Sequence, residues 1–481
     1  MNLSKFIFSE IRKYGDATAL IDNSTGIEIK FSQIQPIAEA VASSLYSIGI
    51  RKGHVVSIIG VNEPKYVILI YAILRLGAIA NLISPLVPDS TQIEQLDASN
   101  SKLLLTNIDL GLGRGKHISQ RFESLPEGGS EPIPDIEISG DDEALIIWSS
   151  GTNGKPAGCV HSHKNILAGL EMLRDNKVKD YMGIRNKDIV AGHIPICVSW
   201  GCWLYNFGTI LQGSCVVLLP TLDLLKLMIM VSKYKITVLH TVLPILHFLA
   251  KHPSIEKYLP LTSLREIVHA ANRIPKDMIS SIKDRFNIEL RQMYGMSECG
   301  GICFAEYDDP RSYSVGKILP GIVAKLSEQG ELYIKGPNIM KRWLDNSSPV
   351  VDEQEYFHTG DVLTVESDGT MTIVDRLRDI IKVGGQTVSP SELEHVIKQN
   401  EKIFDAAVIG ITDERKGEAP KAYVVKNEES LTEQDVIDFV NDKVELYKNV
   451  VEVEFIKTIP RHSSGKILRN LLKQLKKEKN D

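Results

Sequence analysis

No Cys-x-x-Cys pair occurs among the six cysteines, at 159, 197, 202, 215, 299 and 303, and no histidine grouping has metal-ligand spacing. Neither a zinc site nor a disulfide framework follows from such a pattern, so the thiols read as reduced and mostly buried. A secretory leader is missing too: MNLSKFIFSEIRKYGD carries charge by residue 5 and has no long apolar core, which makes the cytoplasm the expected compartment. There is no excess of positive charge. A formal net charge of -6 gives no overall basic field, so no nucleic-acid partner is expected, while a local anion site stays open. Nor is there an uninterrupted run of membrane length. YVILIYAILRLGAIANLISPL, at 66–86, contains Arg75, Gly77 and Pro85 and reads as a buried helix running into a strand, with no transmembrane segment. The basic tail LLKQLKKEKND reads as a solvated terminal helix, contact with anionic lipid being its other reading, and no Ser-Lys-Leu address follows it.

What is present is a large globular chain. At 481 residues it exceeds the roughly 250–300 at which one hydrophobic core stops growing, so at least two domains are expected. Hydrophobic residues at 43% and charged residues at 24% supply a sizeable core. Strand-like runs at 54–61, 144–148, 214–219 and 236–242 alternate with amphipathic stretches, the pattern of α/β layers with largely parallel sheets. From about 330 the texture changes to short strands and tight turns, as in GELYIKG and SDGTMTIVDR with its Asp368-Gly369 hairpin signal. The fold expected is α/β: a large N-terminal domain of layered subdomains with a small β-rich subdomain over 1–377, then a small α+β domain over 378–481. The latter opens with a helix at 389–400, capped by Ser389 with Pro390 at its first position.

Chemistry concentrates in SSGTNGKPAGCVHSHKN, at 149–165. A Walker loop needs four residues between its glycines and Ser or Thr after its lysine. Here two residues separate Gly151 from Gly154 and Pro156 follows Lys155, so that reading fails. The stretch does follow the strand ALIIW, and open α/β sheets place ligands at the carboxyl ends of their strands. Its hydroxyls and backbone N–H groups suit phosphate oxygens, and an ordinary glycine-rich turn is the other reading.

Four further stretches follow in order: QMYGMSE (292–298), HTGD (358–361), DRLRDIIKVGGQTVSPSELE (375–394) and PRHSSGKILRN (460–470). Together with the first they make the chain resemble the adenylate-forming superfamily of acyl-CoA synthetases and 4-coumarate:CoA ligase-like enzymes, from residue 12 to Arg469. The resemblance implies that a small-molecule carboxylic acid, fatty or aryl, reacts with ATP to give acyl-AMP and pyrophosphate, after which coenzyme A displaces AMP. A carboxylate is ionised at neutral pH, so the first step needs charge neutralisation and in-line placement rather than a general base. On the same resemblance, Lys466 is the catalytic cation and Glu298, with Thr152, holds Mg²⁺. Ser149, Ser150, Gly151, Thr152, Asn153, Gly154, Gln292, Met293, Tyr294, Gly295, Ser297, Asp361 and Arg376 form the ATP and AMP site. Arg378 is the hinge of a mobile C-terminal domain, and Lys382, Gly384 and Gly385 border the thiol channel. Val198, Trp200, Ala270, Ala271, Asn272 and Gly295 fall at the acyl pocket.

The pattern is broken in places. The family's loop lysine is replaced by Ala157, Val198 stands where many relatives have histidine, and HAANRIP replaces a Ser-Gly-Ala-Ala-Pro run. Two alternatives therefore accompany the CoA ligase: an enzyme that loads an acyl or peptidyl carrier protein, and a non-catalytic relative that binds nucleotide or acyl ligand. Lys155 lies two positions before Ala157 with Pro156 fixing the chain near it, so it replaces the missing cation only in part. Lys155→Ala is therefore expected to lower pyrophosphate release; an unchanged rate excludes a role for Lys155.

Overall fold

The strands form where β-branched and aliphatic residues run uninterrupted between polar turns. In Val55–Ile59, Ile79–Ile83 and Leu103–Thr106 nearly every side chain is buried, as expected of strands covered on both faces. The computed structural model describes residues 2–110, 119–125, 132–149, 156–174, 180, 182–258, 261–271, 274, 276–307, 309, 311, 313–461 and 467–480. These residues fall into two compact units, 2–149 with 156–323 and 335–357, and 324–334 with 358–480.

The first unit holds two large sheets. One runs, in spatial order, Lys317–Ile318, Gly300–Phe304, Glu289–Met296, Glu266–His269, Val238–Thr241, Ile189–Gly192, Cys215–Leu218, Thr18–Asp22, Glu28–Lys30. From Glu289–Met296 to Thr18–Asp22 its strands are parallel, and antiparallel partners close both edges. The other runs Arg342–Trp343, Ala157–Ser162, Glu143–Ser149, Ile79–Ile83, Val55–Ile59, Leu103–Thr106, Ser119–Arg121. It is parallel except for the antiparallel pairings made by Ala157–Ser162.

The apolar run at 66–86 is a helix, Pro64–Arg75, followed by the strand Ile79–Ile83. Every residue from Tyr66 to Leu74 is fully buried, and Arg75 at its end pairs with Glu39 at 2.9 Å. That ion pair accounts for a charge inside an otherwise apolar stretch. No described helix is long and apolar enough to cross a membrane.

A buried network of charges aligns two of the parallel strands. Arg291 reaches both carboxylate oxygens of Asp180, at 2.8 and 2.9 Å, and Glu266 at 2.5 Å, while Arg265 joins Glu266 to Asp188. Glu266 and Arg291 lie on neighbouring strands, so the network fixes the register in which those strands end.

The second unit contains a four-stranded sheet, Val323–Leu326, Glu331–Lys335, Phe357–Val365 and Met371–Arg376, and a five-stranded one. The latter is built from Gln386–Val388, Ile381–Val383, Gly417–Lys426 and Ile403–Asp413, with Glu452–Phe455 parallel to Gly417–Lys426. Helices Pro390–Ile397 and Glu433–Asn441 are capped by Ser389 and Thr432, as the sequence predicts for Ser389. Position 378, read from the sequence as a boundary, lies inside this unit between its two sheets. The architecture agrees with the α/β reading: a large N-terminal part of several sheets and a smaller C-terminal α+β part.

Four histidines of the first unit are held neutral by burial. It pushes the imidazoles of His161, His163 and His193 down to about 4, and that of His240 to about 3, from an ordinary 6.5. The folded state thus binds fewer protons than the unfolded chain between those values, so stability is full above 6.5 and is lost as pH falls toward 4. Each histidine contributes on the order of 1.4 kcal/mol per pH unit across the window. Melting temperatures measured from pH 7.5 to 5 are expected to drop steeply; a flat profile excludes neutral buried histidines as the cause.

Candidate active site

The parallel strands of the nine-stranded sheet deliver three segments to one edge. Residues 193–200 follow Ile189–Gly192, Ala270 and Ala271 follow Glu266–His269, and Glu289–Met296 itself runs on into a turn. His269, the last residue of its strand, is paired with Gln292, so Ala270 and Ala271 leave that strand next to the point where Gln292 passes. The carboxyl edge of such a sheet is where ligands settle, because side chains and strand-end N–H groups from several loops converge there.

Of the residues expected near an acyl group, Val198 is exposed and Trp200 half-buried, its ring edge-on to the buried His240 at 5.9 Å. Trp203, Tyr205 and Phe207 are core residues instead; the Tyr205 hydroxyl donates to the Ala191 carbonyl at 3.0 Å. Ala271 carries a φ of 77°, a left-handed conformation that an alanine adopts only under strain. Asn272 lies outside the described residues.

Gln292, Met293 and Tyr294 are buried, and Gly295 is exposed where the hairpin closes. A Cβ at Gly295 would run into the Gly300 carbonyl, which is why the position has no side chain. Ser297 and Glu298 follow, both half-buried, in a turn whose three successive carbonyls each receive a separate donor. His161 Nε2 bonds the Ser297 oxygen at 2.8 Å, the Met340 N–H that of Glu298 at 2.7 Å, and Asn338 Nδ2 that of Cys299 at 2.8 Å. The Asn338 segment is itself held where Asn165 Nδ2 donates to the Pro337 carbonyl. Beside this turn sits the Cys159 thiol, pushed well up by burial and further by the negative charge of Glu298.

Among the described residues no group of three or more His, Cys, Asp or Glu side chains gathers as a metal site. A single carboxylate at the mouth of a sheet still fits Mg²⁺, which takes one or two protein oxygens and completes its shell with water and phosphate.

Ser149 ends the strand Glu143–Ser149, its hydroxyl 3.4 Å from the Ala157 carbonyl on the returning strand. Ser150, Gly151, Thr152, Asn153, Gly154 and Lys155 lie outside the described residues. Side chains alternate along a strand, so Ala157, Cys159 and His161 share one face, the face that meets the 297–298 turn. The residue that departs from the family pattern therefore points to the same side as Glu298's neighbours.

In the second unit Asp361 and Arg376 are register partners on adjacent strands and pair at 2.8 Å, Asp361 being buried. Arg376 also donates to the Thr359 carbonyl, and Glu331 accepts the Gly360 N–H, which fixes the turn ahead of Asp361. This pair is more than a surface contact, since the Asp361 side chain is only 6% exposed. Arg378 is exposed, and Lys382 donates to Thr387 across a hairpin. That hairpin turns on Gly384 and Gly385, with φ of 56° and 85°, so a tight two-residue turn by itself demands both glycines. Lys466 lies outside the described residues. On its two sides, Arg461 pairs with both oxygens of Asp405 and bridges Ile467, and Arg469 pairs with Glu394 at 2.6 Å.

Sequence reasoning missed His161, Asn338 and Glu331. The one signal was His161 itself, a polar ring in a strand otherwise built of small and apolar residues.

Residues 7–344 match the AMP-binding enzyme family, and residues 392–466 its C-terminal domain. Among curated proteins, 4-coumarate–CoA ligase 1 of Petroselinum crispum is 30% identical, the match covering 98% of this chain and 93% of that protein. Among solved structures, ATP-bound MatB from Rhodopseudomonas palustris superposes with a TM-score of 0.87 at 20% identity, covering all of both chains. O-succinylbenzoate coenzyme A synthetase from Bacillus subtilis, in complex with ATP and a magnesium ion, gives 0.85 at 23% identity over 97% of this chain and 99% of that one. At those identities the structural likeness establishes the fold.

Relief of the strain at Ala271 is measurable. Ala271→Gly is expected to raise stability by on the order of 1 kcal/mol in denaturant unfolding; a loss would show that the alanine side chain is needed there.

Proposed function

The chain belongs to the AMP-binding enzyme family, and from that membership we propose that it activates an apolar carboxylic acid, fatty or aryl, through residues gathered at the carboxyl edge of its central sheet. The reaction has two halves. A carboxylate oxygen attacks the α-phosphorus of ATP, the bond to pyrophosphate breaks, and acyl-AMP forms. The sulfur of coenzyme A then attacks the acyl carbon, AMP departs with the bonding pair, and the thiol proton passes to solvent.

The observation that carries this reading is the convergence of 193–200, Ala270–Ala271 and Gln292–Glu298 on one sheet edge. It brings the segments expected to hold the acid beside those expected to hold the nucleotide. Tyr294 faces the adenine, with Gln292, Met293 and Gly295 around it. Asp361 accepts hydrogen bonds from the ribose hydroxyls, and Arg376, braced on the same carboxylate, adds a fixed fork of donors. Ser149 and Ser297, with the 150–154 loop, line the phosphates.

Glu298 and Thr152 are the residues that would hold Mg²⁺, which when bound spreads charge off the phosphate oxygens. Lys466 neutralises the meeting of two anions, the carboxylate and the α-phosphate, where a positioned cation is worth most. The domain after Arg378 rotates between the half-reactions, presenting Lys466 for the first and the Gly384-Gly385 turn, with Lys382, for the second. We place the enzyme in the cytoplasm, where six cysteines outside any disulfide are stable.

One experiment tests the whole. With ATP, Mg²⁺, CoA and a panel of fatty and aryl acids, pyrophosphate and acyl-CoA should form together, and Lys466→Ala should lower pyrophosphate release by about 10²–10³. Acyl-AMP accumulating without acyl-CoA moves the acceptor to a carrier-protein phosphopantetheine. Pyrophosphate release no greater than that of Lys466→Ala with every acid overturns adenylation and leaves a binding protein.

A further inference from the structure

His161 occupies a position that packing alone would give to an aliphatic residue. Its side chain is fully buried on the strand Ala157–Ser162, between Val160 and Ser162, and its Nδ1 has no hydrogen-bond partner among the described residues. A leucine there would bury no unpartnered ring nitrogen but would take the donor from the Ser297 carbonyl, so the ring's one bond, Nε2 to that carbonyl at 2.8 Å, is what distinguishes it. Because a carbonyl can only accept, Nε2 carries the proton.

The ring is oriented from behind. Trp203 meets it edge-on at 6.3 Å between centroids, and the same indole lies against the hairpin, where a Cβ on Gly300 would stand 3.0 Å from Trp203 Cε2. The other two carbonyls of the turn are held from the 338–340 segment. Ser297, the residue directly before Glu298, is held by a side chain on the strand that leaves the glycine-rich loop. Within this turn, His161 is the described link between that strand and the backbone that presents Glu298.

We infer that His161 is a positioning residue of the adenylating site, its hydrogen bond to the Ser297 carbonyl setting the direction in which Glu298 is offered to the nucleotide. The inference rests on the reading of Glu298 as the carboxylate beside the phosphates. Cys159, on the same strand face, supports the placement, since the Glu298 charge acts on its thiol.

The test is Mg²⁺-dependent ATP binding by calorimetry, without acid, beside melting temperature and the KM values for ATP and acid. His161→Leu is expected to weaken Mg²⁺-dependent binding about tenfold to hundredfold, the usual effect of losing a group that orients a metal ligand, and to raise the KM for ATP but not for the acid. His161→Gln, which keeps a donor of similar reach, should recover most of that loss. Wild-type binding by His161→Leu overturns the inference, as does a fall in melting temperature with no change in Mg²⁺ dependence. Should His161→Leu not fold, the comparison is between His161→Gln and the shorter His161→Asn: retained binding in the first and loss in the second supports the role, and equal binding overturns it. Glu298→Gln separates the two readings. If it leaves Mg²⁺ dependence unchanged, the role of Glu298 falls and this inference with it; if it shifts that dependence while His161→Leu does not, only the inference about His161 falls.

Discussion

A turn at the end of a buried strand leaves carbonyl oxygens pointing into protein, and each must meet a donor. At residues 297–299 that requirement is met by three donors from two places: the His161 imidazole, and a backbone N–H and a side-chain amide of the 338–340 segment. Much of the first unit is arranged around it. The π-helical stretch Cys202–Gly208 carries the indole that backs His161, and helix His163–Arg174 carries the Asn165 that steadies the Asn338 segment. The buried Arg291 network ties the strand leading to the turn to Glu266 on its neighbour and to Asp180. A turn so fixed offers its exposed groups in one geometry before any ligand arrives, which is the condition for electrostatic catalysis.

Much of the fold was legible in the sequence, because it follows from local rules. Runs such as 54–61 and 144–148 had strand length and apolar character, Ser389 and Pro390 announced a helix start, and Asp368-Gly369 a hairpin. The apolar run at 66–86 was read as helix then strand because Arg75 had no place in a bilayer; its partner Glu39 could not be named, since the pair joins elements far apart in the chain. The same limit hid the ties between Ser297 and His161, and between Cys299 and Asn338, which lie 136 and 39 residues apart. Periodicity reports which face of an element is covered, not what covers it.

The candidate site divides the same way. Motif order supplied the residues, and the folded chain shows which are neighbours: Gln292 beside His269, the residue before Ala270, and Asp361 opposite Arg376. The double glycine illustrates the opposite case. Its two left-handed residues are what a two-residue hairpin needs, so the structural demand and the proposed channel fall on the same atoms, and composition cannot separate them. Trp203, Tyr205 and Phe207 are enclosed in the packing, while Trp200, just before them in the chain, keeps exposed surface.

The anchors on either side of Lys466 bear on time rather than on place. Ile467 is bridged to Arg461, which is clamped on Asp405, and Arg469 is clamped on Glu394. Both clamps end on regular structure, Asp405 on the strand Ile403–Asp413 and Glu394 on the helix Pro390–Ile397. Backbone pinned to a strand and a helix moves with them, in collective motions of microseconds to milliseconds rather than in the nanosecond wandering of a free loop.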